Sequence, residues 1–227
     1  MWIPDDDLVL WLCPLGLPAT KLAAYDALLS KSERERAARF GTPALRQRYV
    51  AGRGTLRVLL GQELGVAPDC VRIIHGLRGR PSLTTTNRML DFNVSHTRGV
   101  ALIAFLRASH AAARIGVDIE HETRDVSADR LARRYLTARE REALPGLDSD
   151  ARRKRFIRLW TAKEAMGKAT GDGLGAPMGR LDVDLAGGPR LIAGPPPYAP
   201  AAWRLIDVPL PGGFVATAAR WNGLSAS

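Results

Sequence analysis

At 227 residues the chain is long enough to bury a core of its own, and a net charge of +10 calls for an anionic partner. A nucleic acid, a membrane surface, or a polyphosphate substrate used with an acidic protein acceptor would each fit that charge. There is no zinc-finger spacing, no aromatic-rich strand of the RNA-binding kind and no lysine-rich tail, which argues against nucleic acid.

Several further classes fall away on similar grounds. Cys13 and Cys70 form neither a disulfide framework nor a metal-binding pattern, so reduced thiols are expected. The start, Met1 to Asp7, is acidic, and no apolar run is long enough for export or membrane spanning; the expected setting is cytoplasmic, with no membrane partner.

In chain order, Val9-Leu10-Trp11-Leu12 reads as an apolar strand. Ser30 followed by Glu33 is a capping box, and Arg46 to Leu64 is an amphipathic helix ended by Gly65. Val71 to Ile74 reads as a strand and Leu77 to Arg88 as a polar loop. Phe92 to Ser95 and Val100 to Arg107 form a hairpin, and a turn over Ser109 to Arg114 leads into the strand Ile115 to Glu120. Thr137 and Glu140 make a second capping box before a longer helix that carries Trp160 to Lys168. Gly171 to Gly175 lacks the Gly-Lys-Ser/Thr ending of a phosphate loop and follows a helix, so it is a helix stop. Ala186 to Ala202 is a Gly/Pro-rich loop before closing strands near Trp203 to Val208 and Phe214 to Ala219.

An internal repeat organises these elements. Leu29-Ser30-Lys31-Ser32-Glu33-Arg34-Glu35 recurs as Leu136-Thr137-Ala138-Arg139-Glu140-Arg141-Glu142, a shift of 107 residues. The same shift lays Arg46, Arg48, Tyr49 and Val50 on Arg153, Arg155, Phe156 and Ile157, and Val9 to Leu12 on Gly116 to Ile119. The expected fold is therefore α+β, a pseudo-twofold duplication of two similar α/β halves, 1–107 and 108–227. Where the second copy has Asp118, Glu120, Lys163 and Glu164, the first has Trp11, Cys13, Leu56 and Arg57. A monomer with one site between the halves follows, the first half supplying cations and the second metal ligands.

The second copy holds the chemistry. Alternation on a strand points Asp118 and Glu120 to one side and Val117 and Ile119 to the other. Spacings of four put Trp160, Glu164 and Lys168 in one helical row. If helix and strand pack together, three hard oxygen ligands converge with one lysine, a composition suited to magnesium and a phosphate-bearing substrate. Lys163 falls inside the apolar arc between Phe156 and Leu159, where a lysine is seldom decoration. Only five lysines occur, and Lys154, Lys163 and Lys168 share this helix. Ser95 and His96 are neighbours on a strand and point apart, which rules them out as nucleophile and base of a hydrolytic triad.

The sequence Gly116-Val117-Asp118-Ile119-Glu120, followed some forty residues later by Trp160-Thr161-Ala162-Lys163-Glu164-Ala165 with Lys168, Gly171, Gly173 and Leu174, resembles the signature pair of the surfactin-synthetase-activating (Sfp) type of 4′-phosphopantetheinyl transferase. Arg78-Gly79-Arg80-Pro81, Phe92 to His96 and the Arg-rich helix from Arg46 to Arg57 fall in the matching order. The resemblance implies transfer of the phosphopantetheine arm of coenzyme A to a serine of an acyl or peptidyl carrier protein, with adenosine 3′,5′-bisphosphate released and magnesium required. It implies that Asp118, Glu120 and Glu164 hold magnesium, that Lys168 steadies the leaving group, and that Glu164 or a water it orients takes the serine proton. Ser95 and His96 would contact the phosphates of coenzyme A, Arg80 would lie beside the adenosine, and Arg48 and Arg53 would meet the 3′-phosphate. Lys163 would support the carboxylates or the pyrophosphate. The family also has a basic residue where Arg36 stands, whereas Glu33 replaces one that is basic in some relatives. A basic nucleic-acid-binding module or a magnesium-dependent phosphohydrolase is the competing reading.

Overall fold

Both capping boxes form: Ser30 and Glu33 at one helix start, Thr137 and Glu140 at another, each exchanging a side-chain oxygen for the other's backbone N–H. The computed structural model describes all residues except 1, 6, 77, 85–89, 109, 125–127 and 224–227. Parts of the expected loop Leu77 to Arg88 and the start of the turn at Ser109 thus lie outside the described residues.

The first half contains β1 (Trp2–Asp5), β2 (Leu8–Pro14), α1 (Ala19–Leu28), α2 (Lys31–Ala38), α3 (Pro43–Leu64), β3 (Ile73–His75), β4 (Pro81–Leu83), β5 (Leu90–Thr97) and β6 (Val100–Arg107). The second contains β7 (Arg114–His121), α4 (Ala128–Tyr135), α5 (Ala138–Glu142), α6 (Ser149–Thr170), β8 (Asp182–Asp184), β9 (Arg190–Ala193), β10 (Trp203–Asp207) and β11 (Phe214–Trp221). One antiparallel sheet has the order β1-β2-β6-β5 and the other β10-β11-β7. Leaving β1 aside, each half runs strand, three helices, a two-stranded ribbon and two closing strands, with the last strand in the middle of its sheet. The 107-residue repeat thus appears as a repeat of topology.

Five elements depart from the sequence reading. β3 begins at Ile73 instead of Val71, and β4 lies within what reads as a polar loop. β9 lies inside the Gly/Pro-rich stretch, held there because Leu191 is buried. α1 has no side-chain cap and no buried residue, so it leaves neither of the usual marks of a helix. α3 starts at Pro43, three residues early, with Thr42 as N-cap and proline at the first turn.

Strand alternation decides the layering. Ile115, Val117 and Ile119 of β7 join Leu8, Leu10, Leu102, Ala104 and Leu106 in a core shared by both sheets. On the outer face of the first sheet, Phe92, Ile103 and Phe105 pack under Leu56 and Leu60 of α3. On the outer face of the second, α6 lies over β7 and β11. Among the described residues no helix is long and apolar enough to cross a membrane.

Candidate active site

Gly116 brings the site together. A Cβ at this position would stand 1.9 Å from the carbonyl oxygen of Ala165 and 2.6 Å from the nitrogen of Ala169, so only glycine lets α6 settle so close to β7. The next two side chains on that face of β7 are Asp118 and Glu120, and the helical neighbours of Ala165 and Ala169 are Glu164 and Lys168. Lys168 Nζ donates to Asp118 Oδ1 at 2.6 Å and to Ser95 Oγ at 2.8 Å, while Ser95 Oγ donates to Asp118 Oδ1 at 2.8 Å. Glu120 accepts from Thr97 Oγ1 at 3.2 Å and from Arg124. Ser95 points into this cluster and is buried; His96, one residue on, is exposed.

Charge is concentrated with little water to screen it. Burial raises the Glu164 carboxyl to about 7, and the Asp118 charge adds to the rise while Lys168 opposes it. Burial also raises Glu120, with Arg124 pulling back and Asp118 pushing up. Asp118 Oδ2 and Glu164 Oε1 are buried and accept no hydrogen bond from the described residues. Two unbonded carboxylate oxygens on neighbouring buried acids are what a hard divalent cation would satisfy, so the donor set fits magnesium. The described residues contain no group of three His, Cys, Asp or Glu already arranged as a metal cage; Asp118 is paired with Lys168 and Glu120 with Arg124.

A second cluster of cations lies on the first half. Arg53 Nε stands 3.2 Å from Glu33 Oε1, and its Nη2 lies 3.4 Å from His75 Nε2. Arg36 lies over the Tyr49 ring, and Arg48 is exposed on the same helix as Arg53. Burial lowers the His75 pKa, and Arg53 and Arg36 lower it further. Glu33 is the capping-box acid of α2; Arg57 Nε donates to it at 2.6 Å. Burial pushes its carboxyl up, but the bonds from Arg57 and the Ser30 amide, with the charges of Arg53 and Arg57, bring it below the usual range. That accounts for the acid at this position.

Two expectations need correction. Lys163 does not support the Asp118 carboxylates: its Nζ is spent on Glu140 Oε2 at 2.5 Å, Tyr135 O at 2.8 Å and Met178 O at 2.9 Å, and the side chain is 1% exposed. An ammonium has three N–H donors, and none remains for coenzyme A. Arg80 is likewise occupied. Nε donates to Lys168 O at 3.0 Å, Nη1 to Asp91 Oδ1 at 3.0 Å and Pro81 O at 3.4 Å, and Nη2 to Asp91 Oδ2 at 2.7 Å and Ile115 O at 3.0 Å. All five guanidinium donors are used, so none is left to reach a ligand.

Sequence reading missed Asp91, Asn93 and Thr97. With Ser95 they alternate along β5 and reach β7: Asp91 accepts from Ile115 N, Asn93 from Val117 N, and Thr97 donates to Glu120. Two edge strands thus meet through side chains that satisfy the buried edge amides of Ile115 and Val117 in β7. Polar residues at every second place between Leu90, Phe92 and Val94 were the available signal. His75 had no such signal.

Residues 114–219 match the sequence profile of the 4′-phosphopantetheinyl transferase superfamily, and residues 18–106 match that of the 4′-phosphopantetheinyl transferase N-terminal region. The 4′-phosphopantetheinyl transferase HetI of Nostoc sp. is 35% identical over 223 residues, covering 91% of this chain and 88% of its own. The chain belongs to the 4′-phosphopantetheinyl transferase superfamily. A putative 4′-phosphopantetheinyl transferase of Synechocystis sp. is 34% identical over 176 residues, 77% of this chain and 69% of its own. The 4′-phosphopantetheinyl transferase Sfp of Bacillus subtilis is 26% identical over 161 residues, 71% and 68% of the two chains. The two profiles meet this transferase on either side of the passage from β6 to β7, and the second begins with the strand that bears Asp118 and Glu120.

Proposed function

We propose that this transferase moves the 4′-phosphopantetheine arm of coenzyme A onto a serine hydroxyl of an acyl or peptidyl carrier protein, releasing adenosine 3′,5′-bisphosphate. The observation that carries the reading is the pairing of Lys168 with buried Asp118, beside buried Glu164, each acid keeping one unbonded carboxylate oxygen, in a chain of this superfamily. The serine oxygen bonds to the β-phosphorus as the bond from that phosphorus to the bridging oxygen breaks, and the bisphosphate leaves with the electron pair. Glu164, near neutral pKa by burial, accepts the serine proton directly or through a water. Lys168 places its ammonium against charge developing on the leaving group. Ser95 meets the phosphates of coenzyme A from inside the cluster and His96 from the exposed side of β5, while Arg48 and Arg53, with Arg36 and His75 beside them, take the 3′-phosphate. Magnesium held by Asp118, Glu120 and Glu164 would supply positive charge beside the pyrophosphate. The nucleophile belongs to the carrier, so no activated serine or cysteine is needed here. One chain suffices as a monomer in the cytoplasm, each half contributing part of the site.

The experiment is intact-mass measurement of an apo carrier protein after incubation with the transferase, coenzyme A and magnesium. A gain of one phosphopantetheine is expected. Release of inorganic phosphate or pyrophosphate without an acceptor would favour a phosphohydrolase instead. Asp118→Ala should lose about 10²-fold or more in transfer rate with the fold intact; a near-normal rate would remove Asp118 from the site.

A further inference from the structure

Arg80 and Lys168 tie the same three elements together at two levels. Arg80 bonds Asp91 on β5, the carbonyl of Ile115 on β7 and the carbonyl of Lys168 on α6. From α6, Lys168 Nζ bonds Ser95 on β5 and Asp118 on β7. Asp91 and Ser95 are four residues apart on one strand, and Ile115 and Asp118 three apart on the other. Lys168 belongs to both knots, its carbonyl to the lower and its ammonium to the upper. The lower knot is mostly buried, with the Arg80 side chain 13% exposed and that of Asp91 10%. Asp91 also accepts the Ile115 amide at 2.7 Å, so Arg80 and Asp91 fix both the N–H and the C=O of one β7 residue.

The chemistry suits positioning better than ligand binding. Asp91 offsets the guanidinium charge with a bidentate pair, so little charge remains to attract a phosphate. The fork grips a carboxylate and three carbonyls at once, which a lysine's point charge could not do. It also sits against the last turn of α6, where the helix macrodipole favours a cation.

We infer that Arg80 and Asp91 are positioning residues for phosphopantetheinyl transfer: their knot sets where Lys168 Nζ and Asp118 Oδ1 stand, and it does not grip coenzyme A. The inference rests on the transferase reading above.

The test uses the full chain with coenzyme A, magnesium and an apo carrier, and compares Arg80→Lys, Arg80→Gln and Asp91→Asn with the wild type. Assays run below each variant's thermal midpoint. Each variant should lose about 10²-fold in kcat, as small misplacements of catalytic groups do. The KM for coenzyme A, and its Kd by calorimetry without carrier, should stay within about threefold. Arg80→Lys should rescue little, since the fork and not the charge is needed. The Arg80→Gln, Asp91→Asn double variant should be about as slow as either single one, because both break one knot.

A raised KM with kcat kept, and near-wild-type behaviour of Arg80→Lys, would make Arg80 a substrate contact and overturn the inference. Lowered midpoints with wild-type kcat would reduce the knot to glue between the halves. Variants unfolded at every temperature would do the same. A wild type that transfers nothing would instead remove the transferase reading itself.

Discussion

α3 and α6 are built alike and used differently. Each is 22 residues long, ends on a left-handed glycine and lies on the outer face of its own sheet. In each half the capping-box acid is buried against a cation from the long helix, Glu33 with Arg57 and Glu140 with Lys163. That cation also binds carbonyls of the turn that follows: Pro68, Asp69 and Val71 for Arg57, Met178 for Lys163. The space between helix and strand is where they part. Under the 107-residue shift, Asp118, Glu120, Glu164 and Lys168 correspond to Trp11, Cys13, Arg57 and Gly61, and Trp11 packs edge-on to Phe105 with ring centroids 4.7 Å apart. In the first half no acid remains there: Trp11, Cys13 and Gly61 are uncharged, and Arg57 is turned to Glu33. The other kept it charged, and the buried ion pair at the helix base belongs to what both share, which is why Lys163 is architectural.

The sharpest way to break this comparison is to separate the halves. Ile115, Val117 and Ile119 are buried against Leu8, Leu10 and Leu102, so neither 1–107 nor 108–227 keeps a complete core alone. Each expressed singly should be insoluble or unfolded by circular dichroism, and neither should bind coenzyme A by calorimetry. A folded half that binds coenzyme A would show the site does not need both.

Next comes the shared ion pair. Lys163→Met leaves Glu140 buried with one partner gone, and should cost about 3–5 kcal/mol in urea unfolding. Lys163→Leu with Glu140→Gln, which copies Leu56 of the first half, should recover much of that loss. A loss in coenzyme A affinity at unchanged stability would return Lys163 to the site.

What the sequence disclosed, and what it hid, follows the same division. Features carried by local chemistry were legible: capping boxes from Ser/Thr with Glu three places on, the face shared by Asp118 and Glu120, the helical row of Glu164 and Lys168. The repeat was legible because it is a matter of spacing. Burial partners were not. Lys163 in an apolar arc looked chemical because Glu140 is distant in sequence, and Arg80 looked free because Asp91, Ile115 and Lys168 meet it only after both halves fold. α1 and β9 were missed for lack of caps and periodicity.

A smaller effect separates the two long helices by pH. Where Arg57 of α3 is paired, Glu164 of α6 is an acid raised by burial from 4.5 to about 7. The folded state therefore holds its proton more tightly than the unfolded chain does. Ionisation costs nothing below pH 4.5, costs progressively more as pH rises through 4.5 to 7, and is constant above that. Glu164→Gln removes the penalty and should be on the order of 1–2 kcal/mol more stable than the wild type at pH 8 without divalent ions, the gap closing near pH 4. Magnesium should raise the melting point of the wild type more than that of the variant. A gap independent of pH would mean that Glu164 ionises normally.

The smallest expected effect tests α3 as the cationic counterpart of α6. Arg53 has Nε near Glu33 and Nη2 near His75, so only part of its guanidinium remains for a 3′-phosphate, whereas Arg48 is exposed. If the pair meets that phosphate, the wild type should prefer coenzyme A to dephospho-coenzyme A by about tenfold in kcat/KM, the scale of one charge-assisted contact. Arg48→Ala with Arg53→Ala should abolish the preference without changing kcat for the dephospho form, because α6 and β7 are untouched. Arg48→Ala alone separates the two contributions, since Arg53→Ala also removes a neighbour of Glu33 and His75. A preference that survives the double substitution would move the 3′-phosphate toward Arg36 and His75, still on the first half. One that vanishes only with changes on β7 or α6 would break the division of labour between the two helices.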